Sequence, residues 1–221
     1  MIKKITILAL IASCIFAFAY GINKRDNFPD LTSENDYLDK VLVAEISDKL
    51  AVSKCELMAE ELKNEPLILR VKISGDIEHL HGNDRQKCIV EEVYKGDSIK
   101  EGDSIYLFSG SWSMVLYDPD YKSISRGFVN IPETGKEYLA FSDGRILTDK
   151  EDVLVSVDDQ YIIAPFFSYD EHDNVIIETS GDTTYVNYRD VKDNEFFAAD
   201  KEALEAMISL KEKMISLYPQ D

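Results

Sequence analysis

The pattern of apolar and polar positions divides the chain of 221 residues into three parts. An apolar run lies within residues 1–22, and a polar stretch follows over residues 23–40. The remainder, residues 41–221, mixes apolar and polar positions with the periods of secondary structure. We therefore predict a leader that is a signal peptide or a membrane anchor, a polar tether and a single folded domain.

Helical periodicity is found at both ends of the predicted domain. Apolar residues recur at near-helical spacing between Val41 and Leu62, and Pro66 ends this pattern. A second apolar stripe runs over about residues 200–218, where Asp200 is well placed to cap the first turn. The sequence thus predicts one helix before the strands and one after them.

Period-two alternation dominates between the two predicted helices. It predicts a first group of strands at Leu67–Ile77, Lys87–Tyr94, Ser104–Phe108 and Glu137–Phe141. Within about residues 159–189 it predicts a hairpin of Gln160–Phe167 with Asn174–Thr179, to which Thr183–Tyr188 adds a strand. Adjacent Glu91 and Glu92 interrupt the alternation, which indicates a β-bulge. The predicted class is α+β, mainly β.

The tetrapeptide Gly-Asp-Ser-Ile occurs twice, beginning at Gly96 and at Gly102. Gly-Asp-Ser resembles the nucleophile motif of a large esterase family, so Ser98 and Ser104 are candidate nucleophiles of a serine hydrolase. The Asn block and the C-terminal Asp-x-x-His of that family have no counterpart at the right spacing. Both glycines suit positive φ in turns, and we predict turns at these sites instead.

A longer pattern carries a second resemblance. It consists of V-x-x-V-Y-K-G-D (Val90–Asp97), G-D-x-I-x-L (Gly102–Leu107) and G-K-E-Y-L-x-F (Gly135–Phe141). It resembles exported bacterial proteins whose domain is an OB-like barrel, related in shape to the netrin-like and metalloproteinase-inhibitor barrels. The resemblance implies an OB-like antiparallel barrel core over about residues 67–142. The zinc-chelating N-terminal cysteine of the inhibitors has no counterpart here, so no inhibitory residue is assigned.

The leader has the composition of an export signal. Lys3 and Lys4 precede the apolar run, and Ala17-Phe18-Ala19 offers a signal-peptidase site after Ala19. Retention as a membrane anchor is one alternative, and lipidation of Cys14 in Ile-Ala-Ser-Cys is another. Because the two lysines favour a cytoplasmic N-terminus, each alternative places the domain outside the cytoplasm, either secreted or anchored to the outer face of the membrane.

Acidic residues outnumber basic ones by 42 to 24, which gives a formal net charge of -18 at pH 7. Such a surface repels phosphate backbones and anionic headgroups. We therefore expect no nucleic-acid binding, and membrane contact only through residues 1–22. Three acidic turns lack the spacing of an EF-hand calcium loop, so solvated turns are favoured over weak calcium sites: Asp118–Asp120, Asp149–Asp152 and Asp170–Asp173.

Two cysteines and two histidines are candidates for further chemistry. Cys55 and Cys88, the cysteines outside the leader, either form a disulfide in an oxidising compartment or remain separate buried thiols. His79 and His81 have an i, i+2 spacing that suits a metal pair, but no third ligand is evident. A polar strand end is the alternative for the two histidines.

The long connection Ser109–Ile131 contains the only tryptophan. Four of its side chains form a predicted recognition surface, unless the loop folds over a barrel end and buries them: Trp112, Tyr117, Tyr121 and Phe128. Since no catalytic set is evident, the sequence predicts a non-enzymatic binding module with no cofactor. Its partner is expected to be a protein or a cell-envelope ligand. A serine hydrolase and a metal-binding protein remain the alternatives.

Overall fold

A computed structural model describes most of the chain, namely residues 2–26, 41–80, 83–110, 112–116, 122–149, 151–177 and 184–220. The chain divides into two compact units, Met1–Asn35 and Asp36–Asp221. The first unit contains helix α1, Ile2–Asp26. Within the described part of the chain, no helix has both the length and the apolar character needed to cross a membrane.

The second unit is built mainly from strands, so the predicted α+β class is confirmed. Its helices are α2 (Asp48–Glu61) and α3 (Lys201–Leu217), with 3-10 turns at Leu62–Asn64 and Tyr188–Asp190. Its strands are β1 (Val41–Glu45), β2 (Leu67–Leu80), β3 (Asn83–Lys95), β4 (Ser104–Ser109), β5 (Ser113–Leu116), β6 (Lys122–Ser125), β7 (Glu137–Ser142), β8 (Ile146–Asp149), β9 (Asp152–Ser156), β10 (Phe166–Ser168) and β11 (Thr184–Asn187).

Seven strands form one sheet in the order β10-β7-β2-β3-β4-β9-β8. Neighbouring strands are antiparallel except for β4 and β9, which are parallel. The predicted bulge is confirmed, because Arg70 lies opposite Glu92 and Val71 lies opposite Val90, which leaves Glu91 between them.

The large sheet is strongly curved. The backbone N–H of Asp158, just after β9, donates to the carbonyl of Phe141 on β7 at 3.1 Å, although three strands separate β7 from β9 in the sheet. Side chains from β2, β3, β4, β7 and β9 fill the concave side, among them Val71, Val90 and Leu107. The strand pairs of the described residues do not form a closed barrel.

The convex side of the sheet is covered by the two helices. Leu67, Leu69 and Val71 of β2 face the inner core, as the alternation predicts, while Ile68 between them packs into the core beside α2 and α3. Asp200 joins the starts of both helices, since its carboxylate accepts the backbone N–H of Asp48 at 2.9 Å and that of Ala203 at 2.8 Å. The predicted C-terminal helix and its cap are confirmed.

The predicted helix over Val41–Leu62 is wrong in its first part. Residues 41–45 form β1, and the helix begins only at Asp48. The physical reason is pairing with distant strands, because β1 lies between β6 and β11 in a four-stranded sheet ordered β11-β1-β6-β5. Val41 and Val43 are fully buried there, which a strand with alternating burial allows.

The predicted C-terminal hairpin is also wrong. Within residues 160–167 only Phe166 and Phe167 lie in a strand, β10, which pairs with β7. Residues 174–177 form no strand, and residues 178 and 179 lie outside the described residues. Strand β11 exists as predicted but pairs with β1 instead. Asn174 and Val175 are instead held by side-chain amide hydrogen bonds with residues 194–196.

Candidate functional site

A pocket opens between helix α3 and the segment Tyr169–Asn174. Its volume is about 480 Å³, which lies in the range in which proteins bind small ligands. Ile208 and Ile215 of α3 contribute apolar walls, and Tyr169 contributes an aromatic one. Because these two isoleucines are only half-buried, they form the uncovered edge of the apolar stripe whose centre, Met207 and Met214, packs in the core.

Two asparagines fix the segment that forms the opposite wall. The Asn174 side-chain oxygen accepts the backbone N–H groups of Glu195 at 2.9 Å and of Phe196 at 3.0 Å. Asn194, which is 2% exposed, accepts the N–H of Val175 at 3.0 Å and donates to its carbonyl at 2.8 Å. Each amide therefore satisfies the backbone beside the other, and the wall is ordered without a strand ladder.

The floor of the pocket is an ion pair between Glu195 and Lys211. Glu195 is 4% exposed, and its carboxylate accepts both the backbone N–H of Ser168 at 2.7 Å and the Lys211 ammonium. Lys211 also donates to the carbonyl of Asp170 at 2.6 Å. Burial raises the pKa of Glu195, while Lys211 and the Ser168 amide oppose this effect. The ammonium of Lys211 thus has two strong acceptors within the protein.

His172 separates this pocket from a smaller cavity. Both His172 and Glu195 line the pocket and also a cavity of about 10 Å³ that Asn130 and Asn194 help to enclose. That volume is close to the space that one water molecule needs. The Nε2 atom of His172 is buried and has no hydrogen-bond partner among the described residues.

The rim of the pocket is acidic. Asp170 is paired with Lys136 at 2.6 Å. Glu171 and Glu212 are exposed, and among the described residues neither forms an ion pair. Since Lys211 is neutralised by Glu195, the two rim carboxylates dominate the local potential.

Trp112 does not contribute to the predicted recognition surface, because its side chain is buried. Trp112 is only 2% exposed, with its ring edge-on to Phe166 at 5.6 Å and the Arg126 guanidinium 4.5 Å from its ring centre. Phe128 is half-buried against the helical core, with a φ of 62°. The loop therefore buries the tryptophan, which was the alternative. Tyr117 and Tyr121 lie outside the described residues.

Of the two alternatives for Cys55 and Cys88, the structure shows separate buried thiols. Cys55 and Cys88 are free and lie in two different cores, one beside the helices and one inside the curved sheet. Burial raises the pKa of each thiol to about 12, so both behave as inert apolar side chains. The candidate lipidation residue Cys14 is free and exposed on α1.

The side chains of the candidate metal pair lie outside the described part of the structure. His79 is at the end of β2, opposite Asp84, but its side chain is not described, and neither is any part of His81. Among the described residues, three acidic side chains have oxygens within 4.8 Å of one another: Asp143, Asp158 and Asp159. The guanidinium of Arg145 lies 3.6 Å from Asp143 and 3.2 Å from Asp159, so a protein cation already pairs with two of the three carboxylates.

The acidic turns that are described make no such group. Asp152 is paired with Arg85 at 3.2 Å, and Asp170 with Lys136. The turn Asp118–Asp120 and residue 150 lie outside the described residues.

Both Gly-Asp-Ser-Ile copies lie at turns, as predicted. Gly96 has a φ of 103° and Gly102 a φ of 84°, and the Asp103 carboxylate accepts the backbone N–H of Lys100 at 2.8 Å. Ser98 and Ser104 are exposed, and neither forms a hydrogen bond with a histidine within the described part of the chain. The turn geometry accounts for the motif without a nucleophile.

Two buried acids were not singled out by the sequence pattern. Burial raises the pKa of Glu45 and of Glu65 to about 7, and in Glu65 the neighbouring carboxylate of Asp158 adds to the effect. Glu65 accepts a hydrogen bond from Tyr161 at 3.2 Å, while the carboxylate of Glu45 has no partner among the described residues. Glu45 occupies an inward position of β1, where alternation alone expects an apolar residue.

The lining of the pocket was mostly missed by sequence reasoning. In the sequence, His172 lies within the acidic turn Asp170–Asp173, and Ile208 and Ile215 lie within the apolar stripe of the predicted C-terminal helix. No protein-family model matches the chain, and no curated protein matches it.

Proposed function

We propose that the protein is a non-enzymatic binding module that acts outside the cytoplasmic membrane. It is secreted or anchored to the outer face of that membrane, and its ligand is a protein or a cell-envelope component. The ligand enters the pocket between α3 and Tyr169–Asn174. The observation that carries the proposal is the pocket itself, whose volume is about 480 Å³ and whose walls are set by Asn174 and Asn194.

The chemistry of the lining favours binding over catalysis. The Lys211 amine donates to Glu195 and to the carbonyl of Asp170, and a nucleophile would have to give up both contacts. The Tyr169 hydroxyl donates to the carbonyl of Tyr218 at 2.9 Å, and burial raises its pKa. Both groups are thus engaged in structural contacts that a nucleophile would have to give up.

Export is supported by the leader. Lys3, Lys4 and the apolar residues that follow have the order of a signal segment. The free thiols of Cys55 and Cys88 are compatible with export, because each is buried in a separate core, where the two cannot pair with each other.

We also propose that β7, β2, β3, β4 and β9 form a partly open OB-like barrel. Five strands contribute to one inner core, and the bond from Asp158 to Phe141 links the two ends of this set. Nuclear Overhauser contacts between the backbone protons of Phe141 and Asp158 would support the barrel. Rapid solvent exchange of the Asp158 amide, without such contacts, would argue for an open sheet.

The binding site can be tested by filling the pocket. Ser216 lines the pocket, and Ser209 is an exposed serine on the same helix outside it. Ser216→Trp is expected to block the site, while Ser209→Trp is the matched control. Full-length protein in a non-ionic detergent is screened against neutral, anionic and cationic fragments, and the methyl resonances of Ile208 and Ile215 are recorded.

We expect fragments that shift both methyl resonances in the wild-type protein and in Ser209→Trp but not in Ser216→Trp. Circular dichroism and urea unfolding check that both variants are folded. The proposal fails if no fragment shifts these resonances, or if fragments bind equally well to Ser216→Trp. If the protein turns over a substrate, and Ser98→Ala or Ser104→Ala alone abolishes that turnover, the serine hydrolase alternative is supported instead.

A further inference from the structure

We infer, on the basis of the proposed function, that the ligand of this pocket presents an alkylammonium group. Such a group is carried by a lysine side chain of a partner protein or by a free polyamine. The inference names the class of ligand, whereas the proposed function assigns only the place where it binds.

The first reason is the charge of the lining. Glu171 and Glu212 face solvent at the rim without an ion-pair partner among the described residues. A cation bound in the pocket is attracted by both carboxylates. An anion placed there is opposed by both.

The second reason is the ion pair between Lys211 and Glu195 at the floor of the pocket. Lys211 and His172 are the basic residues of the lining, and the side chain of Lys211 is only 12% exposed. Its ammonium is already bound to Glu195 and to the carbonyl of Asp170. An anionic ligand that used this ammonium would have to break the pair and leave the buried Glu195 carboxylate without its cation, which is unfavourable. A cationic ligand can bind to the rim carboxylates and leave this ion pair intact.

The third reason is the shape and polarity of the walls. Ile208 and Ile215 line the pocket next to the acidic rim, and Tyr169 lies among them. A methylene chain that ends in an ammonium matches this arrangement, because its stem buries apolar area while its head stays at the carboxylates. The buried Nε2 of His172 is a further polar atom in the same wall.

The charge of the whole chain acts in the same direction. A formal net charge of -18 attracts basic partners and accelerates their encounter at low ionic strength. This long-range attraction is not specific to the pocket, so the experiment has to separate it from the attraction by the rim carboxylates Glu171 and Glu212.

The test compares three probes on full-length protein in a non-ionic detergent. They are a capped tetralysine peptide, a capped tetraglutamate peptide of equal length, and spermidine. Binding is followed by the methyl resonances of Ile208 and Ile215. The variants are Glu171→Gln, Glu212→Gln and the control Glu205→Gln, an exposed glutamate on α3 outside the lining. All three variants remove the same single charge.

We expect tetralysine or spermidine to shift both methyl resonances and tetraglutamate to leave them unchanged. Glu171→Gln and Glu212→Gln should each raise the Kd roughly two- to fivefold, while Glu205→Gln should leave the Kd nearly unaltered. Binding of tetralysine alone assigns a partner protein as the source, and binding of spermidine alone assigns a free polyamine.

The inference is overturned if Glu205→Gln weakens binding as much as the rim variants, because the net charge then explains the effect. It is also overturned if tetraglutamate shifts the methyl resonances or if neither cation does. In that last case, neutral or anionic fragments that still shift Ile208 and Ile215 leave the proposed function standing. If no probe or fragment shifts them, the proposed function fails as well.

Discussion

Replacing Glu65 by glutamine should remove part of the pH dependence of stability. Glu65 lies between the 3-10 turn after α2 and strand β2, and it is 6% exposed. It accepts a hydrogen bond from Tyr161 at 3.2 Å and lies beside Asp158, which is 3% exposed. Burial, together with the charge of Asp158, raises the pKa of Glu65 from 4.5 to about 7. Glutamine keeps the acceptor for Tyr161 and can donate to Asp158.

The direction of the effect follows from which state binds the proton more tightly. Between pH 4.5 and 7 the folded protein holds a proton on Glu65 that the unfolded chain has released, so stability falls as the pH rises. At about 1.4 kcal/mol for each pH unit, the full loss above pH 7 is about 3 kcal/mol. The penalty is absent below pH 4.5, where the group is neutral in both states.

The assay is urea unfolding of the wild-type protein and Glu65→Gln at pH 5 and at pH 8. We expect Glu65→Gln to be more stable than the wild type by less than about 1 kcal/mol at pH 5 and by about 3 kcal/mol at pH 8. Some pH dependence should persist in the variant, because burial also raises the pKa of Glu45 to about 7. Glu56→Gln, an exposed change on α2, is the control. An unchanged pH dependence in Glu65→Gln would refute the reasoning.

Two further predictions concern backbone conformation and helix capping. A methyl group on Gly96 would lie 2.7 Å from the buried Leu67 side chain, whereas a methyl group on Gly102 would have nothing within 4 Å. In urea unfolding, Gly96→Ala should therefore lose roughly 1–3 kcal/mol more stability than Gly102→Ala. Equal losses in the two variants would contradict the predicted clash. Asp200 caps both α2 and α3, so Asp200→Ala should lower the free energy of unfolding by about 2 kcal/mol. The control Glu202→Ala should change it little, and an equal loss in both variants would contradict the double cap.

Local sequence patterns predicted the elements whose burial repeats regularly. The alternation from Leu67 places the inner face of β2 correctly, and the stripe of α3 with its cap at Asp200 was evident because both depend on neighbours in sequence. Strand β1 was missed because five residues are too few for a clear period, and its state is decided by pairing with β6 and β11.

The candidate site was harder to predict, because it depends on contacts between distant segments. Asn174 and Asn194 are ordinary polar residues in the sequence, and only their reciprocal hydrogen bonds make a wall. Ile215 belongs to an apolar stripe, but sequence cannot tell which edge of a stripe stays uncovered. Trp112 gave the opposite error, since a large aromatic residue in a long loop suggested a surface and is buried instead.

The central claim is that the pocket beside α3 is where this protein binds its ligand. The most direct measurement is the set of intermolecular nuclear Overhauser contacts between a bound fragment and full-length protein with labelled isoleucine methyl groups. The account predicts contacts to Ile208 and Ile215 together, which Ser216→Trp abolishes and Ser209→Trp preserves. Contacts confined to other parts of the protein, unaffected by Ser216→Trp, would contradict it.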